Sequence, residues 1–147
     1  MAHYLFNVVH REAAERPAVR ERAAGSLRVG MWGIDADEPH RDALAPGDLI
    51  LLYLGAPDRI FIGRAELASG VHDWTASEAQ VYPGDSTSGV ALARAEEWDP
   101  PVPMAVVLAR IDRSEGARAD FETGVVRITA KEFETACAVA AGRARSM

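Results

Sequence analysis

Apolar residues fall into short runs of strand length, separated by glycine, proline and acidic turns. His3–Val9 holds Tyr4, Leu5, Phe6, Val8 and Val9 in weak alternation and predicts a mostly buried first strand. Leu49–Leu54 is continuously apolar, the pattern of a central strand covered on both faces. Pro46-Gly47-Asp48 launches it, with proline fixing φ, glycine supplying positive φ and Asp48 as a turn-stabilising carboxylate. Ile60–Ala68 alternates in its second half and predicts the partner strand, joined through the hairpin connection Gly55–Arg59. Gly89–Trp98 reads as a strand with Val90 and Leu92 inward. Asp99–Pro103 reads as a rigid extended connection whose prolines exclude a central ladder position. Met104–Arg110 is a further apolar run, with Val106 and Leu108 alternating against Val107 and Ala109.

Helical signals are fewer. Ala, Arg and Glu dominate Glu12–Ala24, and Pro17 predicts a helix over Pro17–Ala24 stopped by Gly25. Gly30–Asp42 reads as a loop with a short helical turn at Glu38–Ala43, and Ser69–Ser88 as a long loop with a helical stretch at Thr75–Gln80. Val125–Ile128 predicts a short strand. Thr129 and Glu132 then have the spacing of a capping box. Phe133, Cys137 and Ala140 or Ala141 follow as an apolar stripe, with Gly142 at the expected stop.

At 147 residues the chain fits one domain, 1–147, with a single core. The longest apolar run is far below the roughly 18 residues a membrane span needs. The start of the sequence lacks a basic region followed by a long apolar stretch, so the cytoplasm is the expected compartment. Cys137 stands alone and reads as a small buried hydrophobe. Net charge is −6, which argues against loose binding to phosphate backbones. Lys131 is the only lysine, and Arg11, Arg16, Arg20, Arg22 and Arg28 cluster before Trp32, giving a local basic rim on an acidic protein.

Binding chemistry concentrates around Trp32. Gly30 and Gly33 flank it and permit close backbone approach, and an indole face stacks on a base for about 1–3 kcal/mol. Trp32 reads either as this plate or as a core plug. Asn7 ends the first strand with an amide that both donates and accepts, suited to a base edge or to its own loop. Tyr53, Leu54 and Gly55 end the central strand, where a phenol and a missing side chain would meet a ligand. Trp74 lies in a polar loop as a second wall, or as the centre of a satellite cluster. Asp35, Asp37, Glu38 and His40 match no common zinc or calcium loop and read as solvated charge. Gly84–Gly89 lacks the lysine of a phosphate loop, and the serines and histidines show no local nucleophile signature. No metal or cofactor is expected.

The order Trp32-Gly33-Ile34, then Gly47-Asp48-Leu49-Ile50-Leu51 with Tyr53, then Ile60, Ile62-Gly63 and Ala65-Glu66-Leu67 resembles the EVE domains of the PUA-like superfamily. Tyr4-Leu5-Phe6-Asn7 fits their first strand, and Val90–Trp98 with Val102–Leu108 fits the strands closing the barrel. The resemblance spans about residues 3–112. Asp35–Glu38 stands where such sequences often carry a basic or polar run, and Leu54–Pro57 where they often carry a Ser- or His-containing loop. The resemblance implies an α+β class: a PUA-like mixed β-barrel with short flanking helices. It also implies a nucleic-acid-binding module that recognises a modified base in DNA or RNA. Asn7, Trp32, Gly33, Ile34, Tyr53, Leu54, Gly55 and Trp74 would form the ligand pocket, and Arg22 and Arg28 would contact phosphate. Two other classes stay open: a small enzyme or sensor for a nucleotide-like metabolite, using Asp35 and His40, and a protein-interaction subunit of a defence or regulatory complex.

Overall fold

The computed structural model describes residues 1–8, 16–55, 58–84, 86–110 and 124–145. Val9, Arg11, the start of the Glu12–Ala24 stretch, Ala56, Pro57 and Asp85 lie outside these. In chain order the elements are β1 (His3–Val8), α1 (Arg16–Val29), β2 (Met31–Gly33), a 3-10 turn (Arg41–Ala43), β3 (Leu49–Leu54) and β4 (Ile60–Leu67). They continue with β5 (His72–Asp73), α2 (Ala76–Val81), β6 (Ser88–Pro103), α3 (Met104–Arg110), β7 (Val125–Ile128) and α4 (Ala130–Arg145).

The strands make one mixed sheet in the order β2-β6-β4-β3-β1-β7, with β5 also paired to β6, curled into a half-barrel. β3 is central, as its unbroken apolar run demands. It runs parallel to β1, with Phe6 opposite Leu52, and antiparallel to β4, with Ile50 opposite Ala65. Strand alternation then divides the core. Leu5, Leu51, Tyr53 and Phe61 face α3 and α4, joining Met104, Val107, Phe133 and Ala136. Tyr4, Phe6, Ile50, Leu52 and Leu54 face the other way, joining Leu27 of α1, Trp32 and Ile34. The Asp48 carboxylate accepts the Ala2 N–H at 3.0 Å and the Ala45 N–H at 3.1 Å, so the turn residue also ties down β1.

Several expectations are corrected. α1 runs through Gly25 to Val29, because Ala23, Ala24, Ser26 and Leu27 form one buried face. Its stop is Gly30, at φ +75, whose N–H reaches back to the Ser26 and Leu27 carbonyls. Residues 31–33, read as loop, form β2 against β6. Asp99–Pro103 continues β6 rather than leaving the sheet, pairing Val102 with Phe61 and Pro103 with Ile60. Met104–Arg110 is helical, not alternating, because Met104, Val107 and Leu108 are its buried positions, at helical spacing. α4 extends past Gly142 to Arg145. The capping box stands: the Glu132 N–H donates to the Thr129 hydroxyl at 3.0 Å, and the Thr129 N–H to the Glu132 carboxylate at 2.8 Å. Among the described residues no helix is long and apolar enough to cross a membrane.

Candidate functional site

Three short chain segments meet where β1 and β2 end. Gly30 turns α1 into β2, and the Trp32–Val90 pair fixes the indole on the inner face of the sheet. Trp32 is 8% exposed, with its ring 6.3 Å from that of Phe6. Beside it is a cavity of about 80 Å³ lined by Asn7, Trp32, Gly33, Ile34, Asp35, Glu38, Gly124 and Val125.

The backbone donors at this cavity are largely committed. The Gly33 N–H donates to the Tyr82 hydroxyl at 3.0 Å and the Ile34 N–H to the Ser88 carbonyl at 2.9 Å. The Asn7 N–H donates to the Gly124 carbonyl at 2.7 Å, and the Glu38 N–H to the Asp35 carbonyl at 3.2 Å. The Ser88 hydroxyl donates to the Ile34 carbonyl at 3.0 Å and accepts from the Arg41 guanidinium at 3.2 Å. The wall also carries carboxylate. Glu38 is only 13% exposed at its side chain, its Oε2 lies over Gly124, and its Oε1 lies 3.5 Å from the His40 Nδ1. A side chain on Gly124 would run into that oxygen at 2.7 Å.

Of the residues singled out in the sequence, Asn7, Trp32, Gly33 and Ile34 converge on this cavity. Gly55 sits next to Asn7: the space a Gly55 side chain would fill is taken by the Asn7 carboxamide, 2.9 Å from the Cβ position, rather than left open. Leu54 is completely buried in the Trp32 core. Tyr53 lies on the opposite face of β3, fully buried, with its hydroxyl 3.7 Å from the Met104 sulfur and its ring 5.1 Å from Phe61. It therefore shares no cavity with Trp32. Trp74 belongs to a separate aromatic cluster, 5.1 Å from Tyr82 and 5.5 Å from His72, and covers Gly89. Arg22 is exposed on α1. Arg28 is exposed too, but its guanidinium donates to both Glu97 oxygens at 3.1 and 3.2 Å. Asp35 and Glu38 were legible only as charge, and Gly124 and Val125 had no local signal at all.

A second group has the residue types of nucleophilic catalysis without its geometry. His72 Nε2 lies 3.1 Å from both Glu78 oxygens, and its Nδ1 lies 3.5 Å from the Ser69 hydroxyl. Ser69 Oγ is already spent: it donates to the Gly70 carbonyl at 2.9 Å and accepts the Ala91 N–H at 3.0 Å. The hydrogen bond to Glu78 pushes the His72 pKa up, favouring the imidazolium over the free base that would activate a serine. The group clips the 69–78 loop to β6. Among the described residues no group of His, Cys, Asp and Glu is placed to hold a metal ion.

Solved structures share this arrangement of strands and helices. The NMR structure of Rpa0253 from Rhodopseudomonas palustris is 18% identical, with a TM-score of 0.61 over 96% of this chain and 94% of that one. ASCH from Zymomonas mobilis is 10% identical, with a TM-score of 0.55 over 93% and 94%. Human THYN1, crystallised in complex with DNA containing 5-methylcytosine, is 11% identical, with a TM-score of 0.58 over 95% and 98%. The fold is PUA-like. No family model matches the sequence, and no curated protein does. The likeness lies in architecture, over nearly the whole length of the chain.

Proposed function

We propose that residues 1–147 form one EVE-type domain that binds nucleic acid and recognises a modified base at the cavity beside Trp32. The observation that carries this reading is the convergence of Asn7, Trp32, Gly33 and Ile34 on one concavity. Its fold is shared with human THYN1, whose structure holds DNA with 5-methylcytosine. The aromatic element is Trp32 backed by Phe6, a single plate and not a three-sided cage. At about 80 Å³ the cavity has room for two or three waters, at about 30 Å³ each. That is well below the roughly 300 Å³ at which ligand pockets begin. Base entry therefore requires the cavity to widen. Arg22, on the helix leading into β2, is the better placed of the two arginines for phosphate, since Arg28 is held by Glu97.

The test compares short oligonucleotides carrying 5-methylcytosine or N6-methyladenine with unmodified ones of the same sequence. We expect tighter binding to a modified strand. Trp32→Phe, which keeps the core filled, should reduce that preference, and Trp32→Ala should abolish it. Equal, weak, wholly salt-sensitive binding to all strands rejects the reading.

A further inference from the structure

We infer that Arg41 holds the phosphate of the nucleotide whose base enters beside Trp32. The inference rests on the base-recognition reading above and adds an anion contact at the edge of the same site. Arg41 opens the 3-10 turn that follows the Asp35–Glu38 wall of the cavity, and its N–H donates to the Glu38 carbonyl at 3.2 Å. Its guanidinium reaches back to β6. There Nη2 donates to the buried Ser88 hydroxyl at 3.2 Å, and that hydroxyl donates in turn to the Ile34 carbonyl at 3.0 Å. Ile34 lines the cavity. Two hydrogen bonds separate the cation from the wall, a gap that the sugar between a base and its phosphate spans.

The pairing of Arg41 sets it apart from other arginines. Arg28 has Glu97 and Glu21, and Arg94 has Glu66, although both are exposed. Arg41 is half-buried, and among the described residues no carboxylate pairs with it. Glu38, three positions earlier, is turned to His40 and Gly124 instead. Asp42, next in the chain, is exposed. Nε of Arg41 is buried with no hydrogen-bond partner, so the donor fork is engaged by one neutral oxygen. A guanidinium drawn partly out of water carries a desolvation cost that a neutral hydroxyl offsets poorly and an anion offsets well. Phosphate suits it, because a planar fork grips two oxygens of such a group at once. Ser88 also holds the fork before the ligand arrives, which reduces the ordering cost of binding. Arg22, exposed on α1, is left to a neighbouring phosphate.

The experiment uses the whole chain and the two modified strands above, one with 5-methylcytosine and one with N6-methyladenine. Each is made in three forms: unaltered, and with the linkage 5′ or the linkage 3′ of the modified base replaced by an uncharged methylphosphonate. We expect one of the two replacements to weaken binding of the better-bound strand about tenfold, the worth of one charge-assisted contact. In Arg41→Gln the unaltered strand should bind weaker by a similar factor, and the replacement should cost nothing further. Arg41→Lys, which keeps the charge and loses the fork, should fall between. No loss at either linkage, with a preference for a modified base intact, overturns the Arg41 contact and leaves base recognition standing. A loss that persists in full in Arg41→Gln overturns it in the same way. Strands bound without any preference overturn both readings. Thermal melting establishes that Arg41→Gln is folded. If it is not, the loss is measured in Arg22→Gln: a loss retained there supports Arg41, and a loss that vanishes assigns the phosphate to Arg22 and overturns the inference.

Discussion

His72 and Glu78 show what a single pair does at an otherwise unspecialised turn. Glu78 accepts the Thr75 N–H at 2.9 Å as part of a capping box and meets His72 Nε2 at 3.1 Å with each oxygen. The backbone hydrogen bond from Thr75, with help from His72, lowers the Glu78 pKa, while the bond to Glu78 raises that of His72. The signs set a window. A histidine whose folded pKa is raised contributes stability that is complete below its unfolded value, about 6.5, and is lost as pH rises through the folded one. A glutamate whose folded pKa is lowered contributes stability that is complete above its unfolded value and lost as pH falls through the folded one. The clip is intact between the lowered Glu78 and the raised His72 values. Following the His72 ring by NMR across pH, we expect titration above the free histidine value, and a downward move in Glu78→Gln. Titration at or below the free value in the unaltered protein removes the pair as a clip. Both partners are partly exposed, so the effect on global stability is small.

At the scale of elements, the site depends on how β2 is held. Three residues make a poor strand by themselves, and the N–H of Gly33 points away from β6 toward Tyr82. Tyr82 follows α2, so the long 69–88 connection is fastened to the strand that carries Trp32. Gly33 itself has no room for a side chain, because the Tyr82 and Ser86 oxygens crowd the Cβ position. Removing the phenol oxygen takes the acceptor from a part-buried amide, a cost of about 0.5–1.5 kcal/mol. We expect Tyr82→Phe to lower the unfolding free energy in urea by about that amount and to speed hydrogen exchange at the Gly33 amide. A Gly33 amide that exchanges no faster assigns Tyr82 to packing alone. Strand and helix signals were legible where an element carries its own pattern. β3 is apolar throughout, β4 alternates, and Thr129 with Glu132 announces α4. α3 was misread because Val106 and Leu108 suggest alternation, whereas the buried triplet Met104, Val107 and Leu108 decides for helix. β2 was missed because three residues give no period.

For the molecule as a whole, the fold was legible through the resemblance of its ordered motifs to EVE domains, but the site was legible only in part. Asn7 lies on β1, a recognisable strand, and Trp32-Gly33 on β2, which was not; the two strands are far apart in the strand order, and the curl of the sheet brings them to one cavity. Tyr53 could not be placed from sequence, since a run apolar at every position hides which residues face which way. Gly124 and Val125 reach the cavity through β7, more than ninety positions from Trp32, and nothing local marks them. Charge at this scale gives the last expectation. The net charge is −6, the cavity wall carries carboxylates, and Arg28 is held by Glu97, which leaves Arg22 as the α1 arginine proposed for phosphate. Recognition by one base inserted beside Trp32, with phosphate contact limited to one or two arginines, predicts a weak salt dependence. For a single strand the slope of log K against log salt should be about −0.7 to −1.4, against about −4 to −7 for a protein that engages 6–10 phosphates. The measurement is a salt titration of the preferred modified strand. The shallow slope should fall further toward zero in Arg22→Gln, while the preference for the modified base stays unchanged. A steep slope, or a preference that vanishes with the arginine, would locate the binding on a basic face and away from the indole.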